Sequence, residues 1–531
     1  MAATNSHTAL RATAGCATAL ALALAFAAPA NAAYEPGTIY GSLGATGAAG
    51  EVPNAEGIGV DPISGRVALP DYGNDRVSVF APGGVFLFAF GKDVVPGGGT
   101  GPEVCTTVCK AGVEGSGPGE LDDPEDAEFS PSGNEIFVAD GQRRIAVFGA
   151  DGTFRRAFGA DVIPGGGTGP EVCVATCKEG IYDGKGGSFS QPWPITFGPD
   201  GLVYVGDTGA NRISVHDPDG TWLRVFARDV VTGGGTGFEV CSVAADCKAG
   251  DSSANTGSVW APEGLDFDRT GRLFVTSYNG SMVVLFDSAP LAALGAFGKG
   301  VVSGPGGGFE VCTDPCQDGT SGSAAGELSL PQGLATSGNG LIYVSDSSNN
   351  RVAVYRSDLS FAFAFGDDVV PGGGTGFERC TDDCKAGLGL GPSGFSSPYG
   401  AATDCRGTVY INMGGGDTLP ARAFGEEGGE PGPCRLEAKR TKLDKRKGTA
   451  KLTATVPYAS ELTLTGKGIK RAKGQHSGLE GGEKLAIKPK RKLAKKLRRK
   501  GKAKVRVTVR MSPTDGNVTQ TAKAKLKLRR R

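Results

Sequence analysis

From Pro53 onward, short apolar runs alternate with turn residues in a fixed order. In the first stretch the runs are GIGVD, RVALPD, RVSVFA and FLFAFG, separated by PISG, YGND and PGG. Runs of this length bounded by Gly, Pro, Asn and Asp predict strands joined by tight turns, here four in succession and so a four-stranded antiparallel sheet. The pattern returns at Pro124, Pro192, Pro262 and Pro331, and in shortened form at Pro398. The intervals between these prolines are 71, 68, 70, 69 and 67 residues, which marks an internal repeat. One such sheet cannot bury both faces, so neighbours must stack, and six stacked around an axis form a propeller. The sixth unit is short. GTIYGSLG (Gly37–Gly44) has the pattern of a fourth strand and is expected to complete that unit, leaving no open edge in the ring.

The repeat carries a recognisable signature in GLVYVGDTGANRISVH (Gly201–His216) and LIYVSDSSNNRVAVY (Leu341–Tyr355). This pattern resembles the NHL repeat, over roughly residues 34 to 425. The resemblance implies a six-bladed β-propeller and no particular activity, because propellers host many.

Between the fourth run of one unit and the first of the next lies a Gly-rich insert. DVVPGGGTGPEVCTTVCKAG begins at Asp93, with counterparts at Asp161, Asp229, Val301 and Asp368. The inserts hold five close cysteine pairs: Cys105/Cys109, Cys173/Cys177, Cys241/Cys247, Cys312/Cys316 and Cys380/Cys384. Two Cys without nearby His make half a tetrahedral metal site, so disulfides are expected. Apart from Cys16 in the N-terminal segment, Cys405 and Cys434 remain and are expected to pair with each other. PGGGTG lacks the Gly-Lys-Ser/Thr of a phosphate-binding loop. Four inserts pair an Asp with a Glu ten positions later: Asp93/Glu103, Asp161/Glu171, Asp229/Glu239 and Asp368/Glu378. Carboxylates beside free backbone carbonyls suit calcium, although Gly300 replaces the Asp in the fourth insert. No other cofactor is expected. The inserts are expected to crown one face as stapled recognition loops.

Asp71, Asp140, Asp207 and Asp346 open the turn between the second and third runs, followed by Arg76, Arg144, Arg212 and Arg351. Turn capping and packing between sheets account for them. The fourth unit breaks this rule with Ser277 and Met282. Of the three histidines only His216 and His476 follow the first segment. Propeller lyases similar to this repeat family use several His at the central face, so no catalytic residue is assigned. A gluconolactonase-like site, built from acidic residues and Asn on a divalent metal, remains the enzymatic alternative.

Charge then separates two domains. Net charge is zero, yet Cys434 to Arg531 holds 32 Lys and Arg against 6 Asp and Glu. The tail therefore carries +26 and the remainder −26. In the tail, GTAKLTATVPYASELTLTGKGI, KAKVRVTVRMSP and TQTAKAKLKLRR alternate in the manner of strands, with the basic KPKRKLAKKLRRKGK between them as a loop or short helix. The tail resembles the basic immunoglobulin-like domains appended to secreted actinobacterial proteins. At the other end, Arg11, an apolar run and Ala30-Asn31-Ala32 have the form of an export signal, and no later stretch is long and apolar enough to span a membrane.

The reading is thus an all-β chain: a signal peptide at 1–32, a six-bladed β-propeller at 33–425, a linker at 426–433 and a small β-sandwich at 434–531. An extracellular or cell-surface location is expected. So is a protein or glycan ligand at the looped face, with anionic cell-envelope polymers at the tail. No specific nucleic acid is expected, since an acidic propeller repels phosphate.

Overall fold

The computed structural model describes residues 34–44, 46–252, 255–304, 306–389, 396–413, 420–426, 436–444, 446–456, 460–476, 481–513 and 520–530. The expected signal peptide, Cys434 and all of the expected linker except Glu426 lie outside the described residues.

The body consists of six antiparallel sheets, five built by one repeat each and the sixth by the last repeat together with an N-terminal strand. In the third, Pro192–Phe197, Val203–Asp207, Arg212–His216 and Trp222–Arg228 pair in sequence order from the inside outward. The first strands of successive sheets touch one another in turn, and Pro398–Thr403 of the last touches Gly59–Val60 of the first. These contacts close a ring, the arrangement of a β-propeller. Each gap between neighbouring sheets is filled by its own buried apolar cluster. One example is the meeting of Phe137 and Phe197 edge to face at 5.1 Å across the second gap. Alternation along every strand supplies these clusters, because inward and outward side chains of a sheet serve two different gaps.

An N-terminal strand closes the sixth sheet as expected, but over Tyr34–Tyr40 and not Gly37–Gly44. Tyr34–Tyr40 is the outermost strand of the sixth sheet, with Tyr34 opposite Glu426 and Tyr40 opposite Ala421. One register differs from the sequence reading. Ala55, not Pro53, holds the place of the repeat proline, since it bridges Asp71 as Pro192 bridges Asp207.

The inserts depart further from expectation. Each lays down a short fifth strand, such as Pro102–Cys105, along the outer edge of its own sheet. The first half of an insert therefore wraps the circumference, and only the second half returns to the face where the next sheet begins. The fifth strand satisfies the backbone groups of an edge that would otherwise stay open. Four residues were too few to read as a strand from pattern alone. All five cysteine pairs of the inserts are disulfides, Cys105–Cys109, Cys173–Cys177, Cys241–Cys247, Cys312–Cys316 and Cys380–Cys384.

The tail forms two sheets. One contains Glu437–Asp444, Thr449–Val456 and Gly481–Ile487; the other contains Ala472–His476, Ser460–Thr465, Lys502–Pro513 and Gln520–Arg529. Both contribute to a single buried cluster that includes Leu452, Leu485, Leu462 and Val509. The basic segment is a helix, Arg491–Lys500, ended by Gly501 at φ 63°, whose N–H donates to the Leu497 carbonyl. Leu497 anchors the helix in the same cluster. Cys405, in the turn between the first two strands of the sixth sheet, packs against this cluster and is disulfide-bonded. Among the described residues no helix is long and apolar enough to cross a membrane.

Candidate functional site

The insert-bearing face is organised by four buried ion pairs. Arg144 Nε donates to Asp140 Oδ2 at 2.8 Å, and both side chains are fully buried. Its remaining N–H groups reach the carbonyls of Ser116, Gly117 and Glu120 from the preceding insert, and that of Lys178 from its own. Asp140 Oδ1 accepts the backbone N–H of Asp122. Arg76, Arg212 and Arg351 repeat the arrangement with Asp71, Asp207 and Asp346. The pairs thus do more than cap a turn: Arg144, Arg212 and Arg351 each tie two consecutive inserts together, and Arg76 ties the N-terminal segment (Gly47, Ala48 and Glu51) to Lys110 of the first insert. In the fourth sheet Ser277 Oγ still accepts an insert N–H, from Trp260 at 2.9 Å, while buried Met282 takes the place of Arg.

In the four Asp–Glu pairs of the inserts, the two carboxylates take different partners. Each Asp meets the Lys after the second cysteine: Lys110–Asp93, Lys178–Asp161, Lys248–Asp229 and Lys385–Asp368, all at 2.7 Å. Each Glu accepts backbone N–H groups of the Gly-rich turn; Glu103 takes those of Val95 and Gly99, and Glu171, Glu239 and Glu378 do the same in their own inserts. Both carboxylates therefore already have partners within the insert. The Asp residues sit at positive φ, near 52°, where Gly is free of strain. The fourth insert accordingly holds Gly300 there and Gln317 in place of the Lys, with Gln317 Nε2 donating to the Gly300 carbonyl.

A different group of acids converges on the central channel. A cavity of about 250 Å³ opens along the first strands of the six sheets. Glu56, Asp126, Glu128, Glu263 and Asp266 line it, with Trp193, Gln332 and Tyr399; among the described residues no Lys, Arg or His does. Glu56, Glu125 and Glu263 stand at the start of the first strands, on the insert-bearing side. Burial pushes Glu56 up to about 7, helped by the charge of Asp123. Burial and then the Glu56 charge push Glu125 up to about 8, against the Gln191 amide that donates to it. Glu263 rises to about 8 through burial, opposed by the Gln332 amide. Glu263 Oε2 is itself shielded from solvent and has no hydrogen-bond partner. Deeper in the channel, burial raises Asp126 to about 7, Asp266 to about 6 and Glu128 well above the ordinary range. Asp126 and Asp266 also bind neighbouring strands, by accepting the N–H groups of Ile195 and Thr336 at 2.9 and 2.7 Å.

On the rim, Asp75, Asp122 and Asp123 bring their carboxylates within 4.8 Å of one another. His216 takes no part in this face. It is buried, stacked on Phe189 and hydrogen-bonded to Ser214, and burial pushes it down to about 3.

Chemically, the mouth offers carboxylates that titrate close to neutrality and lack a cationic partner among the described residues that line it. Such a site attracts cations and can exchange protons. Sequence reasoning missed it, although a signal was present. AEGIGV, PEDAEF and PEGLDF each place Glu directly after the first position of the repeat, where the other units hold Trp193, Gln332 and Tyr399.

The family model described as NHL repeat matches residues 189–215 and 328–355. No curated protein matches the chain. Among solved structures, the chain is similar to the PQQ-bound aldose sugar dehydrogenase of Streptomyces coelicolor, with 14% identity, TM-score 0.36, and coverage of 74% of this chain and 97% of the other. It is similar to virginiamycin B lyase of Staphylococcus aureus at 10% identity and TM-score 0.34, covering 71% and 96%. It is similar also to a gluconolactonase of Xanthomonas campestris at 12% identity and TM-score 0.34, covering 73% and 94%.

Proposed function

We propose that the chain is an exported six-bladed NHL-type propeller with a β-sandwich tail, and that its body binds a ligand at the channel mouth on the insert-bearing face. The ligand is a protein or glycan that presents a cationic amine. One observation carries this reading: among the described residues, five carboxylates line the channel and no basic side chain opposes them. An amine entering the mouth restores charge balance and supplies donors to Glu263 Oε2. Trp193 and Tyr399 add aromatic faces suited to an ammonium group. The disulfides fit an oxidising compartment. Basic peptides and amino-sugar glycans screened against the protein and a Glu125→Gln/Glu263→Gln variant test the reading. Binders that the variant loses support it. Binders held equally by both would overturn it.

A second reading is a metal-dependent hydrolase or lyase at the same mouth. It is favoured by Glu125 and Glu263, whose raised values suit a general acid or base near neutral pH. Metal analysis of the purified protein separates the two, since only this reading requires a stoichiometric divalent ion.

A further inference from the structure

The last two strands of the tail sort their residues strictly by face. Val505, Val507, Leu526 and Leu528 enter the core. On the other face the antiparallel register sets Lys502 opposite Arg529, Lys504 opposite Lys527 and Arg506 opposite Lys525. All six are exposed. Neither strand contains Asp or Glu, and Glu461, on the neighbouring strand, lies at the far end opposite Ser512. Directly opposed side chains of an antiparallel pair stand about 5 Å apart, and like charges there oppose pairing. An outward face needs only polarity, which Thr or alternating charge supplies without repulsion. Three consecutive self-repelling rungs therefore oppose the fold and call for an anion.

The spacing specifies the kind of anion. Successive rungs lie about 7 Å apart along the strands, two residues at about 3.4 Å each. An extended phosphodiester chain with short polyol spacers repeats its charge at a comparable interval. Nucleic acid offers similar phosphates but relies on aromatic side chains for its exposed bases, and neither strand contains Phe, Tyr or Trp. We propose that this cationic ladder is the docking face for a linear, base-free polyol-phosphate polymer lying along the strands. The inference stands apart from the channel reading, since it concerns another domain and an opposite charge.

The test uses the full chain and lipid-free poly(glycerol phosphate), followed by calorimetry at several NaCl concentrations. Glycerol phosphate monomer and single-stranded DNA of matched phosphate number serve as comparisons. The polymer is expected to bind at least tenfold more tightly than either, with a log–log salt slope of about −2 for three engaged phosphates. A Lys525→Glu/Lys527→Glu variant places an acid opposite Arg506 and Lys504. It is expected to lose at least tenfold in polymer affinity while its melting temperature holds or rises. A Lys451→Glu/Lys484→Glu variant makes the same charge change on the other sheet and is expected to lose less than threefold. Equal losses in the two variants, undiminished binding by the ladder variant, or DNA binding as tight as polymer binding would each overturn the proposal.

Discussion

Asp140 and Arg144 face each other across the second and third strands of the second sheet, 2.8 Å apart and without solvent exposure. At the same register of the fourth sheet stand Ser277 and Met282. The molecule thus contains both an ionic and a largely apolar solution to one packing problem. Arg144→Ala should cost about 3–5 kcal/mol, because it strands a buried carboxylate and frees four insert carbonyls. Asp140→Ser/Arg144→Met, which copies the fourth sheet, should cost less than the two single changes combined. A double-mutant cycle in urea checks this, and simple additivity would show that the pair is uncoupled.

The ring closes through Tyr34–Tyr40. Tyr40 is fully buried, touches Phe80 and Tyr410, and donates its hydroxyl to the Pro82 carbonyl at 2.5 Å. Tyr40→Ala should destabilise the body by about 3–5 kcal/mol, as for other large buried aromatics. Deletion of the strand should cost more, since it also opens a sheet edge. An unchanged melting temperature in the deletion variant would mean that the strand is no latch.

Each disulfide of the inserts bridges residues only four or six positions apart. Short closed loops restrict the unfolded chain little, so losing one bridge should cost about 2 kcal/mol or less. The local effect should be larger. Cys105 anchors the fifth strand against Val94, so Cys105→Ser/Cys109→Ser should release amide protection over Pro102–Cys105 while the inner strands keep theirs. Hydrogen exchange followed by mass spectrometry reads both.

Glu56, Glu125 and Glu263 hold their protons more tightly when folded than when unfolded. A carboxyl raised by folding binds more protons in the native state, so stability falls as pH rises from about 4.5 through about 8. Glu125, 6% exposed, should contribute most clearly. Glu125→Gln should flatten the pH profile in this window and gain on the order of 2 kcal/mol at pH 8, below the full value of the shift because the channel admits water. Urea titrations at pH 5 and pH 8 measure it, and parallel profiles for the two proteins would count against the buried charge.

The repeat, its turns and its strand alternation were legible because they are local. Strands bounded by Gly, Pro and Asn announce themselves within ten residues or so, and the cysteine pairs lie close enough in sequence to be matched directly. The tail's division into strands and its charge were legible for the same reason. Pro102–Cys105 was not, since four residues become a strand only when an edge such as Phe86–Lys92 is there to accept them.

The channel acids mark the other limit. Glu56, Glu125 and Glu263 lie up to 207 positions apart, and only ring closure sets them around one opening. The pairing of Arg144 with carbonyls of two different inserts depends equally on neighbouring sheets. Sequence by itself determined which segments form sheets, that they repeat, and where charge accumulates, because propensity and alternation act over a few residues. Tertiary structure alone decided which carboxylates lose water together, because desolvation depends on what surrounds a group in space and not on its neighbours along the chain.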